Sequence, residues 1–292
     1  MKLLHTLNFI ARHPLNRTHP FRAIWRFIKW QLNTRLNPYP IVYPFTTKSK
    51  LLIKKGLTGA TGNLYCGLHE FEEMAFTLHF LRIGDTFVDI GANIGSYTVL
   101  ASGHVGARTV AFEPIPHTFQ ILQQNVAINQ MDELVQLYNM AVSAQAGNIK
   151  FVYNEDTMNH AATSEETNTM EVTTDTLDNL LDNIEPLLIK IDVEGFETEV
   201  LKGAVKTLSN TKLCAIIIEL NGSGQRYGFN EELIHMQLNE AGFYPFYYNP
   251  FKRLLTLLST YGLHNTIYIR NKDYVEKRLQ TAPLIEVNCF SF

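Results

Sequence analysis

From Thr86 onward, apolar and polar positions fall into two alternating patterns. Short apolar runs at Thr86 to Ile90, Thr109 to Phe112, Val135 to Asn139, Leu187 to Asp192 and Leu213 to Leu220 predict buried strands. Between them, apolar residues spaced three and four apart predict helices over Ser96 to Ser102, Pro116 to Asn129, Phe196 to Leu208 and Glu231 to Ala241. A further helix is expected over His69 to Leu81, with Phe71, Met74, Ala75, Leu78 and Leu81 on one stripe. Strand and helix in alternation predict an α/β fold with a doubly wound, mostly parallel sheet. Two β-rich runs beyond Gly242, FYPFYY and HNTIYIR, predict an antiparallel ending.

Upstream of this body the pattern changes. Phe21 to Leu36 places Ile24, Phe27, Ile28 and Gln31 at helical spacing, with Trp25 and Trp30 beside them. The PYPIVYP stretch at Pro38 to Pro44 predicts an extended connection. Lys50 to Gly67 reads as short strands and glycine turns. The expected division is a basic extension over residues 1–68 and one domain over 69–292. Asn154 to Thr169, rich in Thr, Asn and Glu, reads as an exposed loop able to close over an acceptor.

The strand ends carry the chemistry. TFVDIGANIG ends an apolar strand in Asp89 and turns through Gly91 and Gly95, and the next strand, in AFEP, ends in Glu113. Ligands of open α/β sheets bind at this carboxyl edge. A dinucleotide pyrophosphate is held by helix amides away from negative charge. Here the glycines read G-x-x-x-G, and Asp89 would repel a phosphate. A cationic, phosphate-free nucleoside such as S-adenosylmethionine suits the position better, with Glu113 accepting from ribose hydroxyls. The competing structural reading makes Asp89 a helix cap and Gly91 an ordinary turn glycine.

A second constellation lies in LLIKIDVEGFETEVLKGA, Leu187 to Ala204. Strand periodicity puts Lys190, Asp192 and Glu194 on one face of an apolar strand, a costly placement unless they pair or face a cleft. Glu219 ends the next strand and precedes a flexible NGSG. The competing reading of Lys190 and Asp192 is a structural ion pair. Glu197 and Glu199 fit a helix N-terminus. His160 and His117 are candidate general bases. No metal-ligand spacing is visible, and a divalent ion bridging Asp192, Glu194 or Glu219 is neither required nor excluded.

Charge separates the two parts. Met1 to His69 holds eleven Lys or Arg and no acid, leaving 14 basic residues against 28 acids in the rest. A basic amphipathic helix suits an anionic membrane surface, with a domain-docked helix as the plainer alternative. No nucleic-acid reading motif accompanies the basic zone, so no nucleic-acid partner is expected. Three scattered cysteines predict no disulfide framework, and neither a spanning segment nor a cleaved signal peptide is expected. The expected location is cytoplasmic, with residues 1–36 available for peripheral contact at the inner membrane surface.

Taken together, GDTFVDIGANIGSYTVLAS, AFEP and LIKIDVEGFETEVLKGA resemble the FkbM family of S-adenosylmethionine-dependent O-methyltransferases, over about Glu70 to Leu220. The resemblance implies a seven-stranded, Rossmann-like class I methyltransferase sheet ending in an antiparallel hairpin. It implies that Asp89, Gly91, Ala92, Asn93 and Gly95 surround the methionine part of the cofactor, with Glu70 in register. Glu113 and Pro114 then serve the ribose, and Asn139 and Ala141 lie beside the adenine. The Lys-x-Asp-x-Glu-Gly pattern falls on Lys190, Asp192, Glu194 and Gly195. With His160, these supply the catalytic candidates, Asp192, Glu194 or His160 taking the acceptor proton and Lys190 keeping Asp192 ionised. Members often act on sugar hydroxyls of glycans, polyketides or glycolipids. The rival readings are an NAD-dependent oxidoreductase using Gly91, Gly95 and Glu113, and an inactive module that binds glycans or membrane surfaces. The acceptor is not fixed by the sequence. Aromatic residues of YPFYYNPF, Tyr244 to Phe251, suit either sugar stacking or a strand core.

Overall fold

The computed structural model describes residues 2–153, 159–163, 166–288 and 290–292. The chain opens with α1 (Lys2–Arg12) and α2 (Pro20–Leu36), a hairpin of β1 (Ile41–Pro44) and β2 (Lys50–Ile53), then α3 (Thr58–Cys66) and α4 (Phe71–Phe80). The alternating body follows: β3 (Thr86–Ile90), α5 (Ser96–Thr98) extended by π-helical turns over Val99–Val105, β4 (Arg108–Phe112), α6 (Pro116–Ile128) and β5 (Val135–Tyr138). Next come β6 (Ala141–Val142), β7 (Gly147–Val152), β8 (His160–Ala161), β9 (Thr169–Asp175) and α7 (Leu177–Leu180). The chain then returns through β10 (Leu188–Ile191), α8 (Glu197–Lys202), α9 (Val205–Ser209), β11 (Ala215–Glu219) and α10 (Glu231–Glu240). It ends with β12 (Tyr244–Asn249), β13 (Leu254–Leu257), β14 (Asn265–Ile269), α11 (Lys272–Gln280), β15 (Glu286–Val287) and β16 (Phe290–Ser291).

Eight strands form the central sheet in the order β13-β12-β14-β11-β10-β3-β4-β5. The run from β11 to β5 is parallel, and β14, β12 and β13 pair antiparallel at the other edge. This is the doubly wound, mostly parallel α/β arrangement that the resemblance implies, with β13 as one strand more than the seven expected. The chain leaves β3 toward β4 on one side and later enters β10 on the other. The switch point therefore lies between β3 and β10, where ligand crevices open in such sheets. The register sets Lys190 beside Asp89 and Ile191 beside Ile90.

Alternation along the strands builds the two core layers. Phe87, Ala111, Leu188 and Ile217 face one layer, and Val88, Val110, Ile189 and Ile216 face the other. The first layer also contains Leu15, Trp30, Phe45, Leu51 and Leu64, so the basic extension packs into the same core as the sheet. Asn125 of α6 fastens this contact. It is fully buried, accepts from the Leu52 amide at 2.7 Å and donates to the Ile94 carbonyl at 2.7 Å.

Three stretches differ from the sequence reading. Within Lys50 to Gly67, α3 replaces the expected glycine turns. Gly62 is needed there because a Cβ would lie 2.7 Å from the His69 ring, so the helix packs closely on that residue. The helix expected over Phe196 to Leu208 breaks into α8 and α9 at Gly203, where a Cβ would come 2.1 Å from the Ser143 carbonyl oxygen. The expected loop from Asn154 to Thr169 lies partly outside the described residues (154–158 and 164–165). Its described part includes β8, which joins β6, β9 and β7 in a second, four-stranded sheet. Cys66 and Cys214 are buried free thiols, and Cys289 lies outside the described residues.

Removing Asn125 takes away the partner of the part-buried Leu52 N–H and of the buried Ile94 carbonyl. Asn125→Ala is expected to lower stability by about 2–4 kcal/mol in urea denaturation.

Candidate functional site

The exit of β3 is held against β10 by an absent side chain. Gly91 has φ +78°, and a Cβ there would lie 1.8 Å from the Asp192 carbonyl oxygen. Only glycine allows the two strand ends to meet this closely. The turn continues through Asn93, also at positive φ, whose amide donates to Glu113 Oε2 at 2.9 Å. Gly95 lets the start of α5 approach α6, since a Cβ would lie 2.4 Å from Leu122 Cδ1.

Asp89 both lines the cavity and holds the helix start, so the capping reading alone does not account for its position. It is buried on the cavity wall, and its Oδ2 accepts from the Thr98 amide at 3.1 Å and the Thr98 hydroxyl at 2.7 Å, tying down the first helical turn. Burial pushes its carboxyl up to about 6, against the pull of Lys190. Glu113 is buried one strand over, accepting from Ile115 N at 3.0 Å as well as from Asn93. Burial raises it to about 7, although those amides favour its ionised form. Asn139 clips the backbone behind it, donating at 2.9 Å to the carbonyls of Glu113 and Pro114.

At the β10 end, Lys190 forms an ion pair with Asp192 and its ammonium lies 4.7 Å from the centre of the Tyr97 ring. Burial alone would lower the lysine, but Asp192, Glu70 and Asp89 overcome it and hold the ammonium charged. The Tyr97 hydroxyl donates to Glu70 Oε2 at 2.6 Å, while Asn265 donates to Oε1 at 2.9 Å. Glu194 ends the segment at φ +55° and is raised to about 7 by burial and the neighbouring Asp192 charge. Glu219 is raised further by burial, Asp192 and Glu194, and its buried Oε2 has no hydrogen-bond partner among the described residues. Asp192, Glu194 and Glu219 each offer an oxygen within 4.8 Å of the others, so the trio has the reach to hold a divalent cation.

These groups share one cavity of about 270 Å³. Glu70, Asp89, Gly91, Ala92, Asn93, Glu113, Pro114, Ala141, Lys190, Asp192 and Glu194 all line it. Ile115, Met140 and Phe151 give it an apolar wall on the β5 side. Gly95 and Asn139 stand behind the lining and shape the backbone that forms it. His160 lies on β8 outside the lining, with Nε2 3.0 Å from Glu166 Oε1, and His117 is exposed on α6. Sequence reasoning missed Tyr97 and the α3 residues Gly59 and Asn63 on the wall. Tyr97 follows the glycine turn by two residues, and that position was the one available signal.

The chain matches the model of the methyltransferase FkbM domain over residues 89–245. Hexuronic acid methyltransferase AglP of Haloferax volcanii is 31% identical over 140 residues, covering 47% of this chain and 56% of that protein. Methyltransferase 1 of Beauveria bassiana is 29% identical over 146 residues, covering 41% of this chain and 58% of that protein. The matches thus span little more than half the length of these curated relatives. Among solved structures, methyltransferase FkbM of Methylobacillus flagellatus KT aligns at 20% identity and a TM-score of 0.44, over 72% of this chain and 52% of that chain.

The crowded carboxyls set the pH dependence of folding. A carboxyl raised in the folded state gives its full stability below its unfolded value, and that stability is lost as pH rises through the folded value. Asp89 sits at about 6, Glu113 and Glu194 at about 7, and Glu73, raised by burial and Glu70, at about 8. His13, His79 and His104, lowered to about 4 chiefly by burial, act in the opposite sense, but only below their ordinary 6.5. The melting temperature of the ligand-free protein is therefore expected to fall between pH 6.5 and about 8.5 in a calorimetric series.

Proposed function

This chain belongs to the FkbM methyltransferase family, and we propose that it transfers a methyl group from S-adenosylmethionine to a sugar hydroxyl of a glycan or glycolipid. The observation that carries this reading is the single cavity lined by both Asp89 and Glu113, with Lys190, Asp192 and Glu194 on the same wall. A donor set so rich in carboxylates suits a ligand with ammonium and sulfonium charges and opposes a pyrophosphate. Glu113, fixed by two backbone amides, suits ribose hydroxyls. The apolar side formed by Ile115, Met140 and Phe151 suits an adenine ring.

When bound, the donor supplies an electrophilic methyl group. The protein's own work is to align the acceptor oxygen with it and to take the hydroxyl proton, and alignment alone can supply ~7–11 kcal/mol of the barrier. Glu194 is our choice as proton acceptor. Its carboxyl is held near 7, where a general base works best at neutral pH, and it sits on the cavity wall. Asp192 is committed to Lys190, which fixes its orientation. The sugar class rests on the relative named a hexuronic acid methyltransferase. Transfer to oxygen rests on the carboxylate base, Glu194, lining the cavity.

The test is transfer of label from methyl-labelled S-adenosylmethionine onto cell-envelope glycans, followed by release of the labelled sugar. Glu194→Gln is expected to reduce kcat by about 10²–10⁴-fold while S-adenosylmethionine affinity stays within a few-fold. In the wild type, kcat should rise with pH through about 7. Label recovered on protein or nitrogen, or a Glu194→Gln enzyme with an unchanged pH profile, would contradict the assignment.

A further inference from the structure

Helix α2 carries apolar residues on both of its faces. Ala23, Phe27 and Trp30 are buried against the domain, with Phe27 and Tyr65 of α3 in ring contact at 5.1 Å. On the opposite side, Phe21, Trp25, Ile28, Leu32 and Leu36 are all exposed. At 100° per residue these five fall within one arc of about 80°. Phe21 is 84% exposed and Leu36 87%, whereas the docked-face Trp30 is 6% exposed. Water faces the stripe along the length of the helix, and such a contiguous apolar surface marks an interaction site.

The stripe is bordered by cations. The same geometry puts Lys29 and Arg22 along one margin and Arg35 along the other, all exposed. Lys29 reaches over the Trp25 ring at 5.6 Å. Arg26 differs: its guanidinium is fastened to Asn16 Oδ1 and the Tyr65 carbonyl, both at 2.8 Å, and serves the fold.

We propose that α2 is a membrane-surface helix, which lies flat on an anionic lipid bilayer with this stripe at the acyl boundary and its bordering cations on lipid phosphates. No helix among the described residues is long and apolar enough to cross a bilayer, so contact in the plane is the geometry that remains for α2. The charge distribution selects the partner. The first 69 residues hold eleven Lys or Arg and no acid, while the rest holds 14 against 28 acids. An anionic surface attracts this end and repels the body, which orients the molecule as well as binding it. A second copy of the chain fits less well, because a two-fold contact through the stripe would set the same cations against each other.

The probes are vesicles of phosphatidylcholine with and without phosphatidylglycerol, used with the full-length protein. Co-sedimentation is expected with the anionic vesicles only, and to weaken at about 0.5 M salt. Trp emission should shift to the blue on binding, and Trp25→Phe should remove most of that shift while binding persists. Leu32→Glu, on an exposed position, should reduce vesicle affinity at least about tenfold with no change in melting temperature. Three results would overturn the proposal: no preference for anionic vesicles, Leu32→Glu binding as well as wild type, or a dimer in sedimentation that Leu32→Glu dissolves without vesicle binding.

Discussion

A single buried ammonium lets this sheet edge carry so many acids. Lys190 comes up from β10 beside Asp89 of β3, pairs with Asp192 and lies under the Tyr97 ring, whose hydroxyl holds Glu70. Its own position is favourable only because Asp192, Glu70 and Asp89 surround it. The strand contact beneath it depends in turn on Gly91, where a side chain would strike the Asp192 backbone. Packing and electrostatics are therefore coupled: the strands meet only through a glycine, and their charged ends tolerate the meeting only through the lysine.

The compensation is incomplete. Glu113, Glu194 and Glu219 are all pushed above the ordinary carboxylate range, burial being the largest cause in each. Glu219 also keeps a buried oxygen without a hydrogen-bond partner among the described residues. A cation entering the cavity would relieve this frustration, which would couple ligand binding to stability through the same groups. Local strain held where function occurs, and offset elsewhere in the fold, is a common arrangement.

The central strands were legible because buried parallel strands are near-continuous apolar runs, and β3, β4, β10 and β11 each lead into an acid that lines the cavity. The second sheet was not. Its strands GNIKFV and TMEVTTD are rich in polar residues and mostly not buried, which leaves no apolar run to detect. Helix α3 was hidden by Gly59 and Gly62, whose role is close approach to His69 and the cavity. Asp89 and Glu113 could be placed as strand-end acids and Lys190 from strand periodicity, whereas Asp192 and Glu194 lie beyond the end of β10, Glu194 in a turn at φ +55°, and line the cavity from there rather than from a strand face. Tyr97 could not, because its partner Glu70 is 27 residues away and the pairing exists only in three dimensions. The two faces of α2 show the same limit. Periodicity revealed an amphipathic basic helix, but only packing shows that Phe27 and Trp30 turn inward while Trp25 and Ile28 face water.

The central claim is that the carboxylate-lined cavity selects a cationic, phosphate-free nucleoside. Titration calorimetry of the purified protein with S-adenosylmethionine and with NAD, at pH 6 and pH 8, tests it most directly. Saturable heat is expected with S-adenosylmethionine, tighter at pH 8, with proton release at pH 6 as Asp89 and Glu113 ionise on binding, and with no measurable NAD binding. Tight NAD binding without S-adenosylmethionine heat would contradict it.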